Sequence, residues 1–508
     1  MTVALTNPDF LDPARASNRS AILVLKQICD TLTSFEPRTG LIKPAIAESW
    51  TIAPDAKKVT FKLRKGVKFH NGREVVAQDF VYSLSRFAHP KTGSSQHFFL
   101  DRVVGYPEFR AERTPTLPGL KAPDPITLEV ELSEPFADLP AVLAHPAAGA
   151  PVPKEEVEKP GDVFAATPIC TGPYSLSEPW TKDKDIKLNR FPDYYAANPS
   201  FAANGVGLVE KIVFKAVGDH GAAYKLLEEN KAHVADVPLD RLSQAKRVKD
   251  RLESGSNGHL TYIGLPVSKP PFDNLAFRRA LALSVDRKRI VEDLLAGSRK
   301  IPTSFLPPGS GRVTASDCGS VLGAKPRKAA ATKALQDSKI DPAATNLSVY
   351  LNSGGGHEKW VGMVQDQWTQ TLGVTSTVKP EEWKKYLDFL VDPGPDGPFR
   401  LAWAAKYPSP EAVLDPLFAP QSLDNFTRYK DPKFEELLKK ARATVNDSAR
   451  LAAYGDALGH LCREMPIIPM WFGQNHVGFA TRVASTTDDR LDVFGDPILR
   501  ELGFRSAS

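Results

Sequence analysis

The chain is too long to bury itself around one hydrophobic centre. A single core stops growing well short of the 508 residues present here, and longer chains divide into domains. A prior of about 150 residues per domain predicts roughly three. Clefts form where such bodies meet, and clefts at domain junctions are favoured places for small ligands.

Periodicity fills in the parts. The start reads as a strand, followed by a helix through Leu23–Leu32 and a turn at Arg38-Thr39-Gly40. Val59, Phe61 and Leu63 alternate with polar neighbours, as do Ile126, Leu128, Val130 and Leu132, so both segments predict half-buried strands. Asn71-Gly72 marks a turn, and Gln78–Phe87 reads as a helix. Residues 48–162 thus predict an α+β lobe. Further on, Ile212, Phe214 and Ala216 precede a helix beginning near Gly221, an α/β pattern. Pro270-Pro271 marks a linker. Helices are then predicted at Leu275–Leu283 and Asp286–Leu295, broken around Ser284-Val285-Asp286. A strand through Leu347, Val349 and Leu351 leads to Gly354-Gly355-Gly356 and a helix through Trp360, Val364 and Trp368. Phe434, Leu437, Leu438 and Ala441 share one helical face. Residues 266–474 therefore predict a second α/β lobe.

Composition closes off several classes. A net charge of +5, with no like-charge block and no basic stripe, excludes nucleic acid as the expected partner. No run approaches the roughly 20 apolar residues of a membrane span. Met1–Phe10 is polar and lacks the regions of a signal peptide, so an exported chain is expected to have lost its signal. The four cysteines form no CxxC pair, which argues against zinc and thioredoxin-type chemistry. No nucleophile elbow, P-loop or HExxH occurs, and the ten histidines are scattered, so the sequence supports no catalytic residue, metal or cofactor.

Two aromatic segments stand out. Trp383 follows a Val-Thr-Ser-Thr-Val strand, and Phe399–Tyr407 reads as a strand ending at Pro408-Ser409-Pro410. Core strands explain both, and Leu401 fits that reading. Trp403 lies among alanines, however, and small neighbours leave backbone edge accessible beside a large ring. That arrangement suits main-chain hydrogen bonding to an extended peptide. The three glycines before His357 suit either a tight strand-to-helix turn or ligand contact.

An ordered series of short motifs carries a resemblance. It opens with Pro44-Ala45-Ile46-Ala47-Glu48-Ser49-Trp50 and runs through Phe61-Lys62-Leu63-Arg64-Lys65-Gly66-Val67-Lys68-Phe69-His70-Asn71-Gly72 to Asp79-Phe80-Val81-Tyr82-Ser83. Leu132-Ser133-Glu134-Pro135, Thr171-Gly172-Pro173-Tyr174, Pro271-Phe272-Asp273-Asn274, Val285-Asp286-Arg287 and Met465-Pro466-Ile467-Ile468-Pro469 continue it. Each motif is weak alone; in this order, along nearly the whole chain, they resemble the extracytoplasmic solute-binding proteins of family 5, the oligopeptide- and dipeptide-binding subunits of bacterial ABC importers.

The resemblance implies a bilobal α/β fold, the type II (cluster C) periplasmic-binding-protein fold, with an extra α+β lobe inserted. Lobe I would comprise 1–47, 163–265 and 475–508, lobe II 48–162, and lobe III 266–474. It implies solute capture by hinge closure, delivery to a membrane permease, a monomer, and residence in the periplasm or as a cell-surface lipoprotein. It also implies a ligand set of Asp30 (in the first helix), Phe99, His357, Trp383, Arg400, Ala402, Trp403, Ala404 and Lys406. The lobe assignment pairs Cys29 with Cys170 and Cys318 with Cys462 if these residues are oxidised, because a bridge across the cleft would block closure.

One departure bears on the ligand. Many peptide-binding members carry Ala-Asp-Tyr where this chain has Ala405-Lys406-Tyr407, and the aspartate meets the peptide's α-ammonium. A lysine repels that group. Lys406 is left to pair with Asp30, to hold a ligand carboxylate, or to face solvent. A receptor for another solute (an anionic conjugate, a sugar, a metal chelate or haem) is therefore the rival within transport. A hydrolase or transferase, or a receptor fold acting only by partner contact, are the rivals outside it.

Overall fold

The computed structural model describes residues 1–194, 209–248, 251–313, 316–485, 487 and 489–505. The chain divides into two compact units, Met1–Gly255 with Asn475–Ser508, and Ser256–Gln474. It passes from one to the other inside two long strands, Leu252–Gly264 and Ile467–Phe479.

In the first unit, the opening strand Thr2–Thr6 is central and buried along its middle. It runs parallel to Lys211–Val217 on one side and to Val234–Asp236 on the other. Ile186–Arg190 and Tyr174–Leu176 extend the sheet antiparallel beyond Lys211–Val217. Val3, Ala4 and Leu5 are all buried, as in a parallel sheet covered on both faces, and so form an unbroken apolar run. The helices Arg19–Ile28 and His220–Glu228 contribute Val24, Leu25, Ile28, Ala223 and Leu227 to the same core.

The same unit holds a separate antiparallel sheet in the order Ala47–Ile52, Lys58–Leu63, Thr127–Glu131, Leu120–Asp124. Here the period-two reading holds: Val59, Phe61 and Leu63 are buried while Thr60 and Lys62 are not. Helix Ala77–Ala88 packs on this sheet through Phe80, Leu84 and Phe87. The turn at residues 37–40 joins a hairpin, Thr33–Phe35 with Ile42–Pro44.

In the second unit, Phe399–Ala404 pairs antiparallel with the strand ending at Gly264, while Asn346–Asn352 runs parallel to Thr375–Glu381. Helix His357–Leu372 buries Trp360, Val364 and Trp368, and the Trp368 indole donates to the Leu281 carbonyl at 3.1 Å. Leu275–Leu283 is helical as expected; Asp286 then caps a short turn by accepting from the Arg289 amide at 2.9 Å.

Two elements differ in extent from the sequence reading. The first helix spans Arg19–Ile28 rather than Leu23–Leu32. Asn18 starts it early, its side chain accepting from the Ala21 amide at 2.8 Å. Its end is set by distant chain: the Gly172 amide donates to the Ile28 carbonyl at 2.8 Å, and Cys29 is bonded to Cys170. A side chain at Gly172 would meet the Ile28 carbonyl carbon at 2.6 Å, so only glycine allows this approach. Asp30 therefore lies beyond the helix, not in it. The second difference is the strand expected through Tyr407, which stops at Ala404. Its last inter-strand bond is from the Ala405 amide to the Gly258 carbonyl, and the prolines at 408 and 410 do not continue it.

Both disulfides join the pairs that the lobe assignment implied, Cys29–Cys170 and Cys318–Cys462, with Cα separations of 4.9 and 4.8 Å, and each lies inside one unit.

Candidate functional site

The second unit gathers most of the expected residues around the strand Phe399–Ala404. In an antiparallel pair, alternate residues point their amide and carbonyl toward the partner strand and the rest point them away. The Ala405 amide bonds to Gly258, so Trp403 and Leu401 face the partner strand and Arg400, Ala402 and Ala404 face the other edge. Along that edge, the only strand contact among the described residues is at Phe399, opposite Tyr350. The Tyr386 hydroxyl donates to the Arg400 carbonyl at 2.7 Å. Beyond it, Ala402 and Ala404 present main-chain groups from half-buried positions, with no strand paired there among the described residues.

Side chains fix the surroundings of this edge. The Trp403 indole donates to the Ala412 carbonyl at 2.7 Å, which holds a half-buried ring in one orientation. Trp383 begins the helix Trp383–Val391, is 47% exposed, and lies 6.3 Å from the Tyr386 ring. Arg400 donates to the Asn352 side chain at 2.9 Å. Its Nε is buried without a partner, and among the described residues no carboxylate opposes it. Burial pushes this guanidinium below its usual range, with Tyr386 and Tyr262 partly countering.

His357 follows Gly356, which adopts φ +68°, and opens the next helix. It accepts from the Trp360 indole at Nδ1, 3.2 Å away, so its proton sits on Nε2. Burial, reinforced by Arg400, pushes the ring down to about 4, and it is neutral at pH 7. Lys406 lies past the strand end on the surface, where its charge, after burial, helps push His259 down to about 4.

Asp30 and Phe99 belong to the first unit. Asp30 accepts from Arg500 at 2.7 Å, and its amide donates to Thr171 at 3.1 Å. Arg500 is thus its partner within that unit. Phe99 is 6% exposed, packed on Phe87 at 6.2 Å and edge-on to His145 at 5.6 Å; its neighbour Phe98 is the exposed ring. Tyr386, Asn352 and Arg500 were not among the expected residues. Tyr386 stands three residues after Trp383 on one helix, a spacing that puts both on one face. Nothing local distinguishes the other two.

Comparison with known proteins gives this architecture its class. The model of the bacterial extracellular solute-binding proteins, family 5 middle region, matches residues 42–425, and the chain belongs to that family. The family consists of solute-binding proteins rather than enzymes. Among relatives, the periplasmic oligopeptide-binding protein OppA of Escherichia coli K12 is 27% identical over 85% of this chain and 79% of its own. YgiS of the same organism, described as a probable deoxycholate-binding periplasmic protein, is 26% identical over 92% of this chain and 86% of its own. Among solved structures, the periplasmic murein tripeptide-binding protein MppA, in an unliganded open form, superposes with a TM-score of 0.85 at 23% identity, covering 99% of this chain and 97% of that one. That likeness shows the fold. No helix among the described residues is long and apolar enough to cross a membrane.

Proposed function

We propose that this chain is the substrate-binding subunit of an ABC transporter, capturing oligopeptides or dipeptides by hinge closure and delivering them to a membrane permease. The open edge at Ala402 and Ala404 carries the reading. Main-chain bonding there accepts any extended peptide regardless of its side chains, so specificity is broad. Trp403 and Trp383 wall the pockets for those side chains, giving large contact area at small entropic cost. Arg400, a buried cation with no carboxylate opposing it among the described residues, suits a ligand carboxylate, and neutral His357 beside it offers Nε2–H as a second donor. Asp30, Phe99 and Lys406 complete the proposed set. The three-lobe division, with 48–162 inserted, belongs to the same reading and is supported by the separate antiparallel sheet at Ala47–Glu131. The protein acts outside the cytoplasm as a monomer, in the periplasm or as a lipoprotein, and turns over no substrate.

Lys406 favours a second reading, a receptor of the same fold for a non-peptide solute, since a lysine repels a peptide's α-ammonium. Mass spectrometry of solute released from the denatured purified protein separates the two. Peptides in the released fraction support the first, and a single non-peptide species replaces it with the second. Calorimetry on matched free and N-acetylated peptides then tests residue 406. Lys406→Asp is expected to shift preference toward free N-termini; equal affinities before and after remove Lys406 from the site.

A further inference from the structure

Within the second unit, His259 stands directly opposite Ala404 on the neighbouring strand. Directly opposed residues of an antiparallel pair share a face, and so do residues two apart on one strand. His259 therefore lies on the face that carries Ala404, Ala402 and Arg400. Ala404 puts no more than a methyl group between that ring and the open edge of the strand. Farther along the sheet, Lys300 and Phe472 exchange two main-chain bonds, at 3.0 and 2.7 Å, as an antiparallel bridge. That register sets Arg299 beside Gly473. Asn257 lies over this glycine, where a side chain would collide with its Oδ1. Asn257 and His259 share a face, so Arg299 is brought to the same side of the sheet as His259. The charges agree with this placement. After burial, Lys406 and then Arg299 push the His259 ring down to about 4.

The corner holds an unused cation. Arg299 is half-buried and donates once, to the Ser298 carbonyl at 3.1 Å; among the described residues it meets no carboxylate. Burial alone pushes its guanidinium below the usual range. Its other nitrogens are not shut away from solvent, so an incoming group can reach them. A partly desolvated cation without a counter-ion favours an anionic occupant, and charge-assisted bonds to guanidinium are strong. Neutral His259 adds a ring N–H donor, and Lys406 adds charge just past the strand end. A strand rises about 3.3 Å per residue, so the level of Ala404 lies about 13 Å from that of Arg400.

We propose that His259, Arg299 and Lys406 form an anion subsite at this end of the open edge, selecting extended peptides that carry a carboxylate in place of the α-ammonium. This rests on the peptide reading of the edge, and it gives Lys406 a role within that reading. With Arg400 at the other end, the preferred ligand is anionic at both ends. An N-succinyl tripeptide has this form, its two carboxylates roughly 15 Å apart when extended.

Calorimetry of the full chain with succinyl-Ala-Ala-Ala, acetyl-Ala-Ala-Ala and free Ala-Ala-Ala at pH 7.4 tests it. The succinyl ligand is expected to bind roughly tenfold or more tightly than the acetyl ligand, the factor that one hydrogen bond to a charged group brings. The free peptide is expected to bind most weakly of all. Arg299→Gln is expected to bring the succinyl-to-acetyl ratio down to about one, while Arg299→Lys, which keeps the charge, retains part of it. Acetyl or free peptide binding as tightly as the succinyl ligand would overturn the subsite and leave the peptide reading standing. A ratio unchanged in Arg299→Gln would overturn the subsite as well. Binding of none of the ligands would overturn both.

Discussion

Arg400 and Arg500 are both largely buried, and the fold treats them in opposite ways. Arg500 meets Asp30 and the Cys29 carbonyl inside its own unit, and its guanidinium is held above its usual range by that carboxylate against the cost of burial. Arg400 meets the Asn352 amide oxygen and no carboxylate among the described residues, and burial depresses it, with Tyr386 and Tyr262 partly countering. A charge that the chain neutralises itself closes a structure. A charge left without a counter-ion costs stability, and in the proposed function a ligand carboxylate is what offsets that cost. The first unit repeats the closing pattern: Lys26 bridges Asp492 and Asp496, and Arg19 bridges Asp496 and Asp236.

The comparison breaks most sharply at Asp496. Asp496→Ala leaves Lys26 and Arg19 each short of a partner and is expected to destabilise the first unit by about 3 kcal/mol or more, measured by chemical denaturation. A loss below about 1 kcal/mol would mean that the network does not close that unit. Trp403→Ala tests the other unit through its ligand. It is expected to weaken peptide binding by about 2 kcal/mol, as a central anchor does, with the thermal midpoint little changed; calorimetry on the purified chain reads it.

Acid sharpens the contrast further. Burial pushes His70 down to about 4, against a backbone bond to Gly172 and the charge of Asp30 that favour its protonation. A histidine with a lowered native value leaves stability untouched above about pH 6.5 and removes it as pH falls toward 4, because the unfolded chain takes up the proton first. His70→Gln is expected to flatten the stability–pH curve between those limits by about 3 kcal/mol. Identical curves for both proteins would remove His70 from the acid response. The smallest effect is expected at Arg400. Arg400→Met removes a depressed charge with no carboxylate partner among the described residues, so stability should change by less than about 1 kcal/mol, while binding of carboxylate-bearing ligands falls at least roughly tenfold. A large stability loss with unchanged binding would make Arg400 structural and reverse the comparison.

Much of this was legible from residues alone. The alternation of Val59, Phe61 and Leu63 placed a strand and its buried face, and Leu275–Leu283 was delimited to the residue. The run around Trp403 marked a strand, and no strand among the described residues pairs with its edge at Ala402 and Ala404. Motif order grouped the cysteines into the pairs that are bonded. These features succeed because each is a property of neighbouring residues: strand and helix geometry repeat every two or about 3.6 residues, whatever the rest of the chain does. The tertiary structure alone decided where the first helix stops, because a glycine at 172 sets that end. It alone matched Asp30 with Arg500 and Lys26 with Asp492, partners separated by 470 and 466 positions. It also left Arg400 without a carboxylate among the described residues. Counter-charges are assigned by which surfaces pack together, and in a sequence with 65 basic and 60 acidic residues no local pattern says which of them will meet.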